Sequence, residues 1–455
     1  MSGLGTPPAA MGPPLKMSRL QKHMVAQIDS GASYNQLYAT VVRMAEEITR
    51  KCGSGGQRVM NTIRNERESV KVLLHTIPRP FLRAIVSRTV AFELSLGKDL
   101  KPDMIYSPVG PGAYVGTICI ANRGGRGWTA EEGVQLARLA EQYAIAAEAL
   151  EGQEGDWAGT QLTEVQSNAM HTAERIDRAR DEDEDAGYES ASTDVTQSTV
   201  MWRPPTTLRF ANAEGKQKAR AARLLSSMLT KQQSEVFGTH RKTPSMQSLS
   251  MVGNAGDILQ RFQSHRLTSN LANSPKIWGL LIHCLAHIGL QPEVVLLPVC
   301  KAWETKHINH AEVLVTLLAG SLIEVSGLNI KLPGTRNDNA SAAALADCRS
   351  EVLGAKPWYL QNLRRSLVAH RLTLSPLETM REKILGQKRK ALSLISEEEA
   401  AQSAIRKARD EVERDILRAD VMNPVVNQEV VDLEVVDLDE SDPEESDQDV
   451  EMTGT

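Results

Sequence analysis

KMSRLQKHMVAQIDSGASYNQLYATVVRMAEEITRKC, residues Lys16–Cys52, sets Leu20, Met24 and Ile28, then Leu37, Val41, Met44 and Ile48, at the spacing of one helix face. Ser30-Gly31 interrupts the period, so the stretch predicts two helices folded back as an αα-hairpin. Working outward, Gly53–Gly56 closes the hairpin and a helix is expected over about Gln57–His75, stopped by Pro78-Arg79-Pro80. Phe81–Leu96 reads as another helix ending at Gly97. Met104–Asn122 changes character: Tyr106, Val109, Tyr114, Val115, Ile118 and Ile120 stand among prolines and glycines, which predicts a short β-hairpin. Thr129 with Glu132 forms a capping-box pattern that opens an Ala-rich helix to about Glu151.

Helical periodicity is then lost, apart from Thr163–Arg180, and returns after Pro204-Pro205. Ala213–Phe237, Ile258–Leu271, Ile277–Gly289 and Glu293–Glu304 read as buried bundle helices, and Glu312–Ile323 and Ala340–Leu353 as two more around an extended piece, Ile323–Leu332. Ser396-Glu-Glu-Glu399 is a cap pattern for a charged helix reaching about Ala419. The expectation is a mainly α fold with a two-lobed helical body and a short β-hairpin near 104–122. Its parts are a disordered Gly/Pro-rich leader (1–15), an N-terminal helical lobe (16–151), an acidic mobile linker (152–203), a C-terminal helical lobe (204–395), a charged helix (396–420) and a disordered acidic tail (421–455).

Charge is distributed unevenly. The formal net charge is -5, yet residues 421–455 hold twelve acids and no Lys or Arg, and residues 151–200 hold thirteen acids against three arginines. Without those two segments the remaining 370 residues carry a formal +17. A basic body with acidic appendages suits attraction of phosphate with restraint on indiscriminate binding; the plainer alternative is that the acids keep the chain soluble. Aromatic residues are only 4% of the chain, so the core must be aliphatic. No apolar run has the length of a membrane span, and the N-terminus lacks the pattern of a signal peptide. Five scattered cysteines without CxxC spacing indicate neither a disulfide framework nor a zinc ribbon, and suit a reducing compartment.

The candidate RNA-binding residues are Arg123 and Arg126 in Asn-Arg-Gly-Gly-Arg-Gly, Arg203, Arg209, Lys216, Lys218, Arg220, Arg223, Arg241, Lys242, Arg364 and Arg365. Glycines let backbone amides and guanidinium forks approach phosphate closely, and Lys216–Arg223 would form one broad cationic helix face. Any one of these residues is more often a solvated surface charge; only their joint excess points to a polyanion. Lys388-Arg389-Lys390 is a candidate nuclear localisation signal. In the tail, Val430-Val431-Asp432-Leu433 and Val435-Val436-Asp437-Leu438 look like tandem SUMO-interaction motifs, short strands that would add to a sheet edge. His283-Cys284-x-x-His287 with Cys300 could be drawn as a metal site, but its strongly apolar setting fits core histidine and cysteine better, and no metal or other cofactor is expected. No phosphate-binding loop, catalytic triad or carboxylate pair stands out, so the chain is read as non-enzymatic.

Tyr114–Glu132, running into an Ala-rich helix, resembles the end of a GAF sensory domain, although the preceding residues lack the strands such a domain implies. The whole plan, a basic helical body with a mobile internal segment and an acidic tail, resembles nucleoproteins of negative-strand RNA viruses. Gly97-Lys-Asp-Leu-Lys-Pro102, Ile105-Tyr106, Gly110-Pro111, Ala222–Leu229 and Leu297-Pro-Val-Cys300 resemble orthomyxovirus nucleoproteins in their order. The resemblance implies a two-lobed helical fold, an Arg/Lys-lined RNA groove between lobes and self-assembly through an exchanged loop. The expected function is therefore a structural coat that binds single-stranded RNA non-specifically and self-assembles into a ribonucleoprotein within virions and the host nucleus and cytoplasm. Its expected partners are RNA, further copies of the chain, a viral polymerase, and SUMO or SUMO-modified proteins, with no membrane. The competing expectation is a nuclear scaffold acting through the SUMO-interaction motifs without RNA.

Overall fold

The computed structural model describes residues 15–151, 162–180, 207–211, 219–234, 238–269, 271, 273–334 and 340–422. The leader, most of the acidic linker, Arg203, Lys216, Lys218 and both tail motifs (Val430 to Leu438) lie outside the described residues.

The protein is mainly helical, as its periodicity predicts. The described elements are α1 (Arg19–Asp29), α2 (Tyr34–Cys52), α3 (Ser54–Asn65), α4 (Arg67–His75), α5 (Arg79–Ser87), α6 (Val90–Leu96), β1 (Gly112–Ile120), α7 (Ala130–Glu151) and α8 (Glu164–Arg178). They continue with α9 (Arg220–Ser234), β2 (Ser250–Ala255), α10 (Ile258–His265), α11 (Lys276–His287), β3 (Pro292–Lys301), α12 (Thr305–Ala319), α13 (Ala342–Ser350) and α14 (Pro357–Met422). The αα-hairpin is present as α1 and α2, each opened by a full capping box: Ser18 with Gln21, and Ser33 with Gln36. Thr163 and Gln166 cap α8 the same way.

Three expectations need correction. First, Met104–Asn122 holds no hairpin: β1 is a single nine-residue strand, flanked by strands from much later in the chain in the order β2-β1-β3, both antiparallel to it. Second, Glu293–Glu304 is not a helix. Pro292–Lys301 is the edge strand β3, where Val294, Val295 and Val299 favour extended backbone, and Pro298 sits beside the register shift opposite Ala113/Tyr114, where a missing amide is tolerated. Third, Ser396 caps nothing, because α14 passes straight through it. Leu392, Leu394 and Ile395 leave no break in helix-forming sequence before the cap pattern.

Three shorter readings also differ. The helix expected over Gln57–His75 starts at Ser54, within the expected Gly53–Gly56 stop, and divides at Glu66 into α3 and α4. The expected helix Phe81–Leu96 divides into α5 and α6 at Arg88, whose φ of 60° is left-handed. Ile323–Leu332 is a 3₁₀ turn followed by a lone bridge, Leu322 to Asn329, rather than a strand.

The chain divides into two compact units, 1–372 and 373–455. Within the first, the sheet is a wall between two cores. All nine β1 residues are buried, and alternate side chains serve opposite faces: Tyr114, Ile118 and Ile120 enter a cluster with α7, α8, α9 and α11, while Ala113 and Val115 enter one with α2, α4, α5 and α12. Burial of each large aliphatic side chain contributes about 1.5–3 kcal/mol, so both clusters contribute strongly. Gly116 keeps β1 close to its neighbours: a Cβ there would stand 3.3 Å from Trp278 and 3.0 Å from Leu296. The segments 16–151 and 204–395, read as separate lobes, are interleaved, since each cluster takes residues from both. In the second unit, α14 continues to Met422 and is exposed to solvent as far as Arg418.

Candidate nucleic-acid interface

Basic side chains meet in a cavity of about 760 Å³ within the first unit. Its walls come from the chain before α1, the first turns of α1, the end of α2, the α5–α6 turn, the start of α7, the end of α9, the segment from His240 to Leu249, and the 3₁₀ turn at Glu324 to Ser326. Lys16, Lys22, Lys51, Arg88, Lys231 and His240 line it, and Glu324 is the one acid among the described lining residues. With histidine neutral the lining carries a formal +4.

Arg88 organises the floor. Its left-handed backbone turns the chain between α5 and α6, and its guanidinium donates to Lys16 O at 2.6 Å and Ser326 O at 3.2 Å. Gln247 adds a second clamp: its Oε1 accepts from Lys16 N at 2.6 Å, and its Nε2 donates to Lys16 O at 3.0 Å and Ser87 O at 2.9 Å. Gln232 Nε2 donates to Ser326 O at 3.4 Å, and Lys16 Nζ donates to Gln232 O. Backbone carbonyls thus satisfy these donors and hold the segment before α1 against two distant turns. Lys22, Lys51 and Lys231 are exposed, and their flexible stems can follow a phosphate chain. Lys51 also pairs with Glu47 at 2.7 Å, a surface ion pair that phosphate can displace at little cost.

The residues singled out from sequence are placed differently. Arg123 makes two 2.8 Å bonds to Glu132, which also caps α7 through Thr129; that pairing holds the Glu132 carboxyl below its ordinary range. Arg126 lies 4.9 Å from the Phe92 ring centre. The Asn-Arg-Gly-Gly-Arg-Gly stretch is therefore a turn docked on its neighbours: Gly125, at φ 71°, passes so close to Ala91 O that a Cβ would stand 2.2 Å away. Arg223 is held by Glu148 at 2.6 and 2.7 Å and by Glu141. Arg209 Nη1 donates to Asp177 O at 3.3 Å, and its guanidinium lies over Phe210. Arg220, Arg241, Lys242, Arg364 and Arg365 are exposed, and Arg241 and Lys242 directly follow His240 of the cavity wall. Lys388, Arg389 and Lys390 are exposed on α14 in the second unit. Of the predicted residues that are described, none lines the cavity, whose lysines and Arg88 come from four separate stretches of the chain and form no single basic cluster in the sequence.

At the drawn metal site, His283 Nδ1 lies 3.0 Å from Ile176 O and burial pushes the Cys284 thiol up, as expected of packed core groups. Among the described residues no three His, Cys, Asp or Glu side chains are grouped to hold a metal ion, and no described helix is long and apolar enough to cross a membrane. Comparison with protein-family models, curated proteins and solved structures finds no match to this chain.

Proposed function

We propose that the protein binds single-stranded RNA with little sequence preference, phosphates occupying the cavity between Lys16, Lys22, Lys51, Arg88 and Lys231, and that copies assemble along the strand as a structural coat. The carrying observation is the convergence of these five cations on one concave site with a single acid, Glu324, among the described lining residues. Unequal charge adds to it: the folded body is basic, and the acids gather between residues 151 and 200 and after 421. Backbone-directed binding needs cations along a groove rather than base-reading side chains, and the lining fits that demand. Trp128 and Leu249 are mostly buried in the wall, so base stacking contributes little.

The test is a fluorescence-anisotropy titration of labelled oligouridylate with nuclease-treated full-length protein at increasing salt. Log affinity should fall linearly with log salt, with a slope of about -0.7 per phosphate contacted. Lys22→Glu with Lys51→Glu and Lys231→Glu should flatten that slope and weaken binding at least tenfold. Binding that ignores both salt and the triple reversal would refute the reading.

A further inference from the structure

Among the described residues of the second unit α14 has no other element to pack on, yet its surface is not that of a solitary helix. Leu377, Met380, Ile384, Leu394, Ile405 and Val412 are each more than half exposed. An isolated helix gains nothing from such side chains, and a row of them on a soluble surface marks a contact. Four of them, Leu377, Ile384, Ile405 and Val412, share one seven-residue register whose two middle positions are Ala391 and Glu398, and Met380 and Leu394 stand three residues after Leu377 and Ala391, the a-to-d step of a left-handed coiled-coil seam.

The charge pattern selects the occupant. Lys388-Arg389-Lys390 and Glu397-Glu398-Glu399 flank an uncharged, apolar centre, Ala391–Ser396. All six charged side chains are exposed. We propose that residues 373–422 pair with the same stretch of a second copy, antiparallel, about a two-fold axis passing through Ala391–Ser396.

In that arrangement each basic triplet faces the partner's acidic triplet. Leu377 and Ile384 come within about two residues' rise of the partner copy's Val412 and Ile405. A parallel two-fold pair has no stagger, so it would set basic against basic and acidic against acidic. A second copy is the one partner whose charge is complementary by construction, since both triplets lie on the same helix. The pairing requires no nucleic acid and stands apart from the cavity reading.

The experiment uses nuclease-treated full-length protein in sedimentation equilibrium. The chain should sediment as a self-associating species whose dissociation constant rises at least tenfold when Lys388, Arg389 and Lys390 are all changed to Glu. Changing Glu397, Glu398 and Glu399 to Lys should do the same, and combining all six should restore association. Orientation is read from a nitroxide at Met380→Cys in a Cys52→Ser background. The antiparallel pair places the two labels roughly 40 Å apart along the axis, whereas a distance near the helix spacing of about 10 Å overturns it. A monomer at all concentrations, indifference to both triple reversals, or failure of the six-fold exchange to restore association also overturns it. Loss of RNA binding with association intact would count against the cavity alone.

Discussion

The guanidinium of Arg88 donates a 2.6 Å hydrogen bond to the backbone carbonyl of Lys16, joining the α5–α6 turn to the segment that precedes α1. The bond is charge-assisted and Arg88 is 8% exposed, so its loss removes the charged donor from two carbonyls and leaves Lys16 O to Gln247 and Ser326 O to Gln232 among the described side chains. Arg88→Ala should lower unfolding free energy by about 2–3 kcal/mol in urea. Arg88→Lys should recover only part, because an ammonium cannot fork between Lys16 O and Ser326 O. Equal stability of both variants and the parent would contradict the assigned clamp.

Glu132 makes stability depend on acid. Arg123 holds its carboxyl below the ordinary range, with Thr129 adding hydrogen bonds. A depressed carboxyl contributes stability that is fully present above its unfolded pKa and lost as pH falls through the folded value. Between pH 6 and pH 3 the parent should therefore lose more stability than Glu132→Gln, which lacks that contribution throughout. Urea midpoints measured across the range decide it; parallel curves would count against the Arg123 pairing.

His307 works in a different window. Burial lowers its pKa to about 4, with Glu304 opposing and Lys306 assisting, and its ring meets Trp303 edge to face. The neutral form is favoured in the fold, so its contribution is complete above the unfolded value of about 6.5 and disappears as pH falls toward about 4. Burial shifts His75 and His310 in the same direction. His307→Phe should reduce the slope of stability against pH between these limits, as read from thermal midpoints in matched buffers.

The thiols report packing. Cys52 is half-buried, whereas Cys119, Cys284, Cys300 and Cys348 are buried, and burial pushes Cys119 and Cys300 up to about 12. An aromatic disulfide reagent at pH 8 should modify Cys52 first in the native protein and reach the other four only on unfolding. Rapid native modification of Cys119 or Cys300 would show that the sheet opens without global unfolding.

Local patterning was readable, and long-range pairing was not. Leu37, Val41, Met44 and Ile48 announce α2 because a helix satisfies its hydrogen bonds within a few residues and needs only one apolar face. Val294 and Val295 do not reveal β3, because the run Val294–Cys300 is apolar throughout and shows no alternation, and its partner, β1, lies far back in the chain. The candidate interface failed to announce itself for a related reason. Arg123, Arg126 and Arg223 look cationic in sequence, but Glu132, Phe92 and Glu148 engage them in the fold. Lys16 and Lys22, Lys51, Arg88 and Lys231 lie in four separate stretches of the chain and converge only when the α5–α6 turn docks on the segment before α1.

The central position of β1 bears on synthesis. Its nine residues leave the ribosome well before either bordering strand exists, and β3 ends 181 positions after Ile120. At about 5–20 residues per second, translation needs on the order of 10–40 s to deliver that border. Until β2 ends, 135 positions after Ile120, neither edge of this largely apolar strand has its partner, and the β3 edge waits until Lys301, so the early helical segments or cellular chaperones must shield it meanwhile.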